Sequence, residues 1–285
     1  MTTTPTTTPT TTTMTVRERG NMWSYRSLIW NFAQRDLKAR FKGTALGWLW
    51  SLVVPIATLV IYSVVFSTIM RMKPPDFGNG ATGNFTVWLL GGLTAWSMFA
   101  NSLNTSIGAL LGAGPLLKKI YFPPYAPVLG SVIALLIQSM IELGIYLVVL
   151  TAFGNVSWTW LLVPFWLVIF AVFLSSISMA LAVLNVHFRD LAHIIGVAIQ
   201  LLFYCSPIIY PMTLIAGKSK MGIPADKLIS ANPLTQFIVI FRDLTYGLTP
   251  GSPLAWLYIT GWTLAVAWVA RRVYRARALD LSEEL

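Results

Sequence analysis

The chain has 285 residues, of which 56% are hydrophobic and 11% charged, with a mean hydropathy of +0.69. Soluble domains carry about 25% charged residues, so a water-soluble fold is excluded, because too few charges exist to cover its surface. The formal net charge of +10 does not mark nucleic-acid binding either, since the cations cluster beside apolar runs, seven before residue 43 and four at Arg271, Arg272, Arg275 and Arg277.

Runs of about 18 or more apolar residues read as bilayer spans, and several follow one another here. The chain is expected to be an all-α integral membrane protein. Residues 2–13 are only Thr and Pro, too polar and uniform to bury anything, so residues 1–20 are expected as a disordered cytoplasmic tail. They contain no apolar segment of the signal-peptide kind, and Met14 is an alternative start.

Residues 21–43 are expected to form an amphipathic interface helix. Tyr25, Leu28, Ile29, Phe32, Leu37 and Phe41 fall on one side, while Arg35, Lys38 and Lys42 share another. Such a basic helix lies in the headgroup layer, and Gly43 and Gly47 let the chain turn into the bilayer. The cations then hold the helix at the cytoplasmic surface and fix the direction of the following span.

Residues 44–272 are expected to hold six spans, over about 46–70, 85–107, 125–153, 159–186, 192–211 and 254–271. An even number puts both termini on one side, and 14 of the 20 Lys and Arg then fall on that side. The positive-inside rule makes that side cytoplasmic, with residues 273–285 a short cytoplasmic tail. Within the 212–253 segment, "NPLTQFIVIFRDLTYG" is too short to span and reads as a re-entrant or surface helix on the outer side.

Several motifs carry bland readings. "AGKSK" imitates part of a nucleotide loop, but Met212 stands where that pattern needs Gly, so no ATPase site is expected in this chain. His187, Asp190 and His193 have spacings that scatter them around a helix, with Arg189 opposing a cation, so no metal site is expected. Cys205 is the only cysteine and reads as structural in apolar surroundings. No aspartate cluster or Gly-x-Ser-x-Gly elbow suggests catalysis. Glu142 is the one acidic residue deep in a span, and such a carboxylate faces a partner or a cavity. Structural pairing with Gln138 one turn away, a place in a polar conduit wall, and proton coupling are the alternatives. The 12 Trp residues fall mostly near span ends, as in an interfacial belt, and Tyr and Trp in a conduit would also suit sugars.

The runs "RDLKARFKGTALGWLWSLVVP", "LLKKIYFPPYAPVL", "NVHFRDLAHI", "FYCSPIIYP" and "NPLTQFIVIFRDLTYG" occur in that order. Together they resemble the permease subunit of ABC-2 type ATP-binding cassette exporters of lipid-linked polysaccharide, of the O-antigen, teichoic-acid or galactan type, over about residues 28–272. The resemblance implies a homodimer of six-span subunits in the cytoplasmic (inner) membrane, working with two separate ATPase subunits that bind ATP and Mg²⁺. No cofactor is expected in this chain, and no sugar-binding domain is expected after its last span. It implies a coupling helix that includes Leu117, Lys118, Lys119, Tyr121 and Phe122, bounded by Pro115, Pro123 and Pro124. It also implies that a polyprenyl pyrophosphate is received near Arg35, Lys38, Arg40 and Lys42, and that outer-side gate helices lie between spans 5 and 6. Conduit or gate positions are Trp48, Trp96, Glu142, Tyr204, Pro207, Tyr210 and Pro211, the prolines permitting a kink at the end of span five. A drug or small-lipid exporter of the same superfamily is the nearest alternative, and a membrane-embedded glycosyltransferase or acyltransferase a more distant one.

Overall fold

The apolar runs become long helices, and the points where proline or a capping side chain interrupts them set the architecture. The computed structural model describes residues 25–42, 49–119, 122–214, 219–220 and 223–277. Its helices are α1 (Arg26–Phe41), α2 (Trp50–Tyr62), α3 (Phe85–Ser106), α4 (Ala109–Leu117), α5 (Tyr125–Ala152), α6 (Val163–His187), α7 (Leu191–Tyr204), α8 (Ala225–Ser230), α9 (Pro233–Thr245) and α10 (Pro253–Arg277). α2 continues as a π-helical segment, Ser63–Ile69, and a 3-10 segment, Trp158–Leu162, leads into α6. Among the described residues the only strands are a two-residue antiparallel pair, Ser219–Lys220 with Ile223–Pro224. Part of "AGKSK", the 1–20 tail, Gly43, Gly47, Trp48, Tyr121 and residues 278–285 lie outside the described residues.

Among the described residues, three helical segments are long and apolar enough to cross a membrane: Tyr125–Ala152, Trp158–His187 and Pro253–Arg277. The chain is therefore an all-helical, multi-pass integral membrane protein. The expected fifth span is shorter as a helix than the sequence suggested. α7 stops after 14 residues at Tyr204, and a helix of that length is about 21 Å long, short of a hydrocarbon core about 30 Å thick. Pro207 lacks an N–H and disfavours helix at Ser206, so residues 206–211 continue as irregular chain.

Hydrogen bonds and ring contacts define two ends of the molecule. At the basic end, Tyr125 lies 6.4 Å from Tyr25 and 6.2 Å from Tyr274, which joins α1, the start of α5 and the end of α10. Asn185 near the end of α6 donates to the Ile107 carbonyl at the end of α3. At the opposite end, Asn155 donates to the carbonyls of Thr245 and Tyr246, and the Tyr246 hydroxyl donates to the Pro75 carbonyl and accepts from the Asn84 N–H. Asn84 caps α3 by accepting from the N–H groups of Thr86 and Val87. α10 packs along α6, and α5 packs between α1, α3 and α6.

α9 distinguishes the two readings of its sequence. It is embedded in protein rather than lying on the surface: Phe237, Ile238, Ile240, Phe241 and Leu244 are fully buried. It starts below the opposite end, where Asn232 donates to Ser206 Oγ and caps the helix, and it runs back outward to Tyr246. The carbonyls that a helix C-terminus leaves free are met by Asn155 and by Thr159, which donates to Leu244.

α1 also differs in detail. Ile29, Phe32 and Ala33 of its apolar side are buried on protein, with Phe32 against Phe122 at 5.4 Å. Close contact depends on Gly130 of α5, where an added Cβ would lie 2.5 Å from Phe32 Cβ and 3.1 Å from the α1 backbone. Gly130→Val should therefore push α1 off α5 at a cost of about 1–3 kcal/mol, read as lost hydrogen-exchange protection over residues 26–41. Gly112→Ala, at a position facing open space, should leave that protection unchanged. Equal protection in both variants would show that α1 is held elsewhere.

Candidate functional site

A cavity of about 620 Å³ opens among α1, α2, α3, α5 and α7. Its polar side is a ladder across three helices. On α3, Thr94, Ser97, Asn101 and Thr105 recur at helical spacing, and the first three line the cavity. On α5, Gln138 and Glu142 are one turn apart and share the facing wall. From α1, Arg40 enters with a two-armed bond: Nη1 donates to Gln138 Oε1 at 3.0 Å and Nη2 donates to Thr105 Oγ1 at 2.8 Å. Burial pushes the Arg40 pKa down, and the nearby Asp36 carboxylate offsets part of that. An arginine begins so far above neutrality that it stays a cation.

Glu142 is buried and accepts from Ser97 Oγ at 2.5 Å. Gln138, a partner for it in one of the three alternatives, accepts from Arg40 instead. The carboxyl group thus satisfies both physical demands on an intramembrane acid, a hydrogen-bond donor and a cavity to face. The remaining walls are aromatic. Trp96 meets Phe203 edge-on at 5.3 Å, Tyr62 stacks on Phe203 at 6.0 Å, and Tyr204 is exposed at the rim.

Of the four candidate cations, Arg40 alone lines this space. Arg35 pairs with Asp36 at 2.9 Å and lies over the Phe32 ring at 4.8 Å. Lys38 and Lys42 are exposed. In the expected coupling segment, Lys118 and Lys119 are exposed and Leu117 is partly buried. Phe122 is only 4% exposed, in a cluster with Ile29, Phe32, Ala113 and Ala126, and ties the loop to α1. Cys205 is exposed at the end of α7. His187 turns Nδ1 to the Val183 carbonyl at 3.1 Å, while His193 is exposed. Trp88, Trp96 and Trp166 are buried, whereas Trp30, Trp50, Trp158, Trp262 and Trp268 face outward, so the interfacial belt accounts for only part of the tryptophans.

The residue that sequence reasoning passed over is Arg242 of α9. It is 7% exposed, and it donates to the carbonyls of Trp88 (3.2 Å), Pro207 (2.5 Å) and Ile208 (2.7 Å). Its guanidinium lies 3.6 Å from the Trp88 ring centroid. Among the described residues no carboxylate forms an ion pair with it. Carbonyl dipoles and the ring face carry the cation instead. Gly92 makes the room, since a Cβ there would lie 2.0 Å from Arg242 Nη2. Pro207 is buried, Tyr210 donates to the Tyr204 carbonyl at 3.0 Å, and Pro211 is buried. The carbonyls of Tyr204, Pro207 and Ile208 thus each have a side-chain donor.

With this geometry described, comparison with known proteins defines the class. Residues 27–246 match the ABC-2 type transporter family, and the chain belongs to it. Among individual relatives, it is similar to the O-antigen export system permease protein RfbA of Klebsiella pneumoniae, with 30% identity over 89% of this chain and 93% of that protein. It is 27% identical to the protein of the same name from Myxococcus xanthus, over 93% of this chain and 97% of the relative. Similarity extends to the polysialic acid transport protein KpsM of Escherichia coli, at 23% identity over 85% of this chain and 90% of that one.

The Arg242 geometry makes a specific demand. Arg242→Met leaves buried carbonyls unpaired and should destabilise the detergent-solubilised chain by about 2–4 kcal/mol. Arg242→Lys, with one compact ammonium for three acceptors, should fall between it and wild type. Thermal unfolding reads both, and an unchanged midpoint for Arg242→Met would show that other donors serve those carbonyls.

Proposed function

We propose that this chain is the permease subunit of an ABC transporter that exports a polyprenyl-pyrophosphate-linked polysaccharide across the cytoplasmic membrane. The reading takes α2, α3, α5, α6, α7 and α10 as six passes, with α7 completed by residues 206–211. Both termini are cytoplasmic. This is supported by the gathering of α1, the α4–α5 loop and the end of α10 at one end of the molecule, where the Lys and Arg concentrate. Two copies of the chain would assemble with two ATPase subunits that bind ATP and Mg²⁺ and supply the energy, leaving this subunit without a catalytic site. Leu116, Lys118 and Lys119, exposed at the end of α4, form the natural contact for the ATPase, with Phe122 anchoring that lever to α1.

The single observation that carries the reading is the cavity, in which a retained cation meets aromatic walls. Arg40 presents a fork of donors of the kind that binds phosphate oxygens in pairs. Trp96, Tyr62 and Tyr204 offer flat apolar faces with polar edges, which suit sugar rings passing one after another. Glu142, Ser97 and Asn101 supply hydrogen-bonding groups along the same path. α9 and the 206–211 segment form the outer gate, with Pro207, Tyr210 and Pro211 in its frame. The relatives named for O-antigen export and polysialic acid transport support a polysaccharide over a drug or small lipid.

The test is an export assay on single substitutions, with membrane insertion and ATPase assembly confirmed for each. Arg40→Gln should reduce surface polysaccharide by about tenfold or more, and Arg40→Lys should restore only part of it, because the fork is lost. Lys38→Gln and Lys42→Gln should each cost less than about fivefold, the effect of one surface charge. Equal, mild losses at all positions would leave these cations as anchors only and remove Arg40 from the substrate path.

A further inference from the structure

α10 packs one side on the protein and leaves the other bare. Ile259, Thr263 and Ala270 are buried on the α6 side. Only 17% of its apolar stretch is buried, against 39% for α5 and for the Trp158–His187 segment. Its bare stripe follows helical spacing through Leu254, Leu257, Gly261, Leu264, Trp268, Arg272 and Arg275. Toward the N-terminus the stripe forms an apolar groove of about 380 Å³, lined by Leu254, Leu257, Gly261 and Ala265 among others. Toward the C-terminus it forms a second pocket of about 320 Å³, lined by Trp268, Arg271, Arg272 and Arg275. Arg272 lies over the Trp268 ring at 5.0 Å. Among the described residues none of these three arginines is in an ion pair.

We propose that this stripe is a binding site for an anionic phospholipid of the cytoplasmic leaflet, its phosphate held by Arg271, Arg272 and Arg275 and an acyl chain lying in the groove. The dimensions agree. From Ala265 to Leu254 the helix rises about 16 Å, close to one leaflet of a core about 30 Å thick. Charge complementarity selects the occupant. Arginine forks bind phosphate oxygens in pairs, and Trp268 sits at the junction of apolar and charged halves, as interfacial tryptophans do. A second copy seated here about an axis normal to the membrane would bring two arginine triplets together in one interface, where like charges repel. An acidic protein segment would cover the arginines and leave the groove bare. Gly261 matters because it keeps the groove open: a Cβ there would meet nothing within 4 Å.

The experiment is native mass spectrometry of the full-length chain, with its ATPase subunit, titrated with phosphatidylglycerol and with phosphatidylcholine of the same acyl chains. Phosphatidylglycerol should be retained in preference. Arg271→Gln/Arg272→Gln/Arg275→Gln should lower its affinity by about thirtyfold or more, three basic side chains acting together. A charge-matched control elsewhere in the sequence, Arg17→Gln/Arg19→Gln/Arg189→Gln, should stay within about threefold of wild type if the effect is local. Gly261→Trp places an indole in the groove and should also weaken retention, which a free phosphate ion would not register. The proposal is overturned if the arginine triple variant keeps the lipid, if the control loses as much, or if Gly261→Trp binds as wild type. Rapid disulfide formation between Gly261→Cys chains in a Cys205→Ala background would seat a second copy there and overturn it as well.

Discussion

Within a membrane protein, every main-chain polar group must find its partner inside the protein, and the segment after α7 is where this chain faces that demand. Pro207 ends the helical ladder, and the carbonyls of Pro207 and Ile208 turn inward. Arg242 meets them, and the Trp88 carbonyl with them. One side chain therefore fixes three elements at once: α9, α3 and the 206–211 segment. Its cost is a buried cation, and the carbonyl dipoles, the Trp88 ring and the space left by Gly92 offset it. An irregular stretch of backbone at this depth becomes a defined frame rather than a loose hinge.

The cavity depends on that frame. Phe203, just before the break, meets Trp96 and stacks on Tyr62, so the position of α7 decides how the aromatic wall is built. The opposite wall is held from α1. Arg40 links Gln138 of α5 to Thr105 of α3, and Phe32 and Phe122 lock α1 beside the α4–α5 loop. In the proposed exporter this gives a physical route for coupling. A push on the end of α4 would pass through Leu117, packed in the cluster of Ile29, Phe32 and Phe122, to α1 and then to the Arg40 end of the cavity.

The long helices were legible because length and apolarity decide them: α5, α6 and α10 lie close to the ranges expected from sequence. The polar stripe on α3 was equally visible, since Thr94, Ser97, Asn101 and Thr105 follow helical spacing, yet it carries no charge to draw the eye. Arg242 left a fainter signal, a cation directly after the apolar run "FIVIF", which requires a buried partner once that run is inside protein. Its partners could not be read, because they are main-chain carbonyls 34, 35 and 154 residues away. The same limit applies to Gln138, which lies one turn from Glu142 and yet bonds Arg40, 98 residues away. Periodicity places residues on a face, but tertiary packing chooses what that face meets. Phe122 makes the same point, since its burial rests on contact with Phe32 of α1.

The most direct measurement is capture of the substrate inside the cavity. A photo-reactive amino acid at Asn101, which lines the cavity, is compared with one at Val168 on the bare side of α6, in cells making a labelled polyprenyl-linked glycan. The expected result is cross-linking of the glycan at Asn101 when the ATPase subunit is present, and none at Val168. Glycan captured at Val168, or none at Asn101 while export proceeds, would contradict a conduit in this cavity.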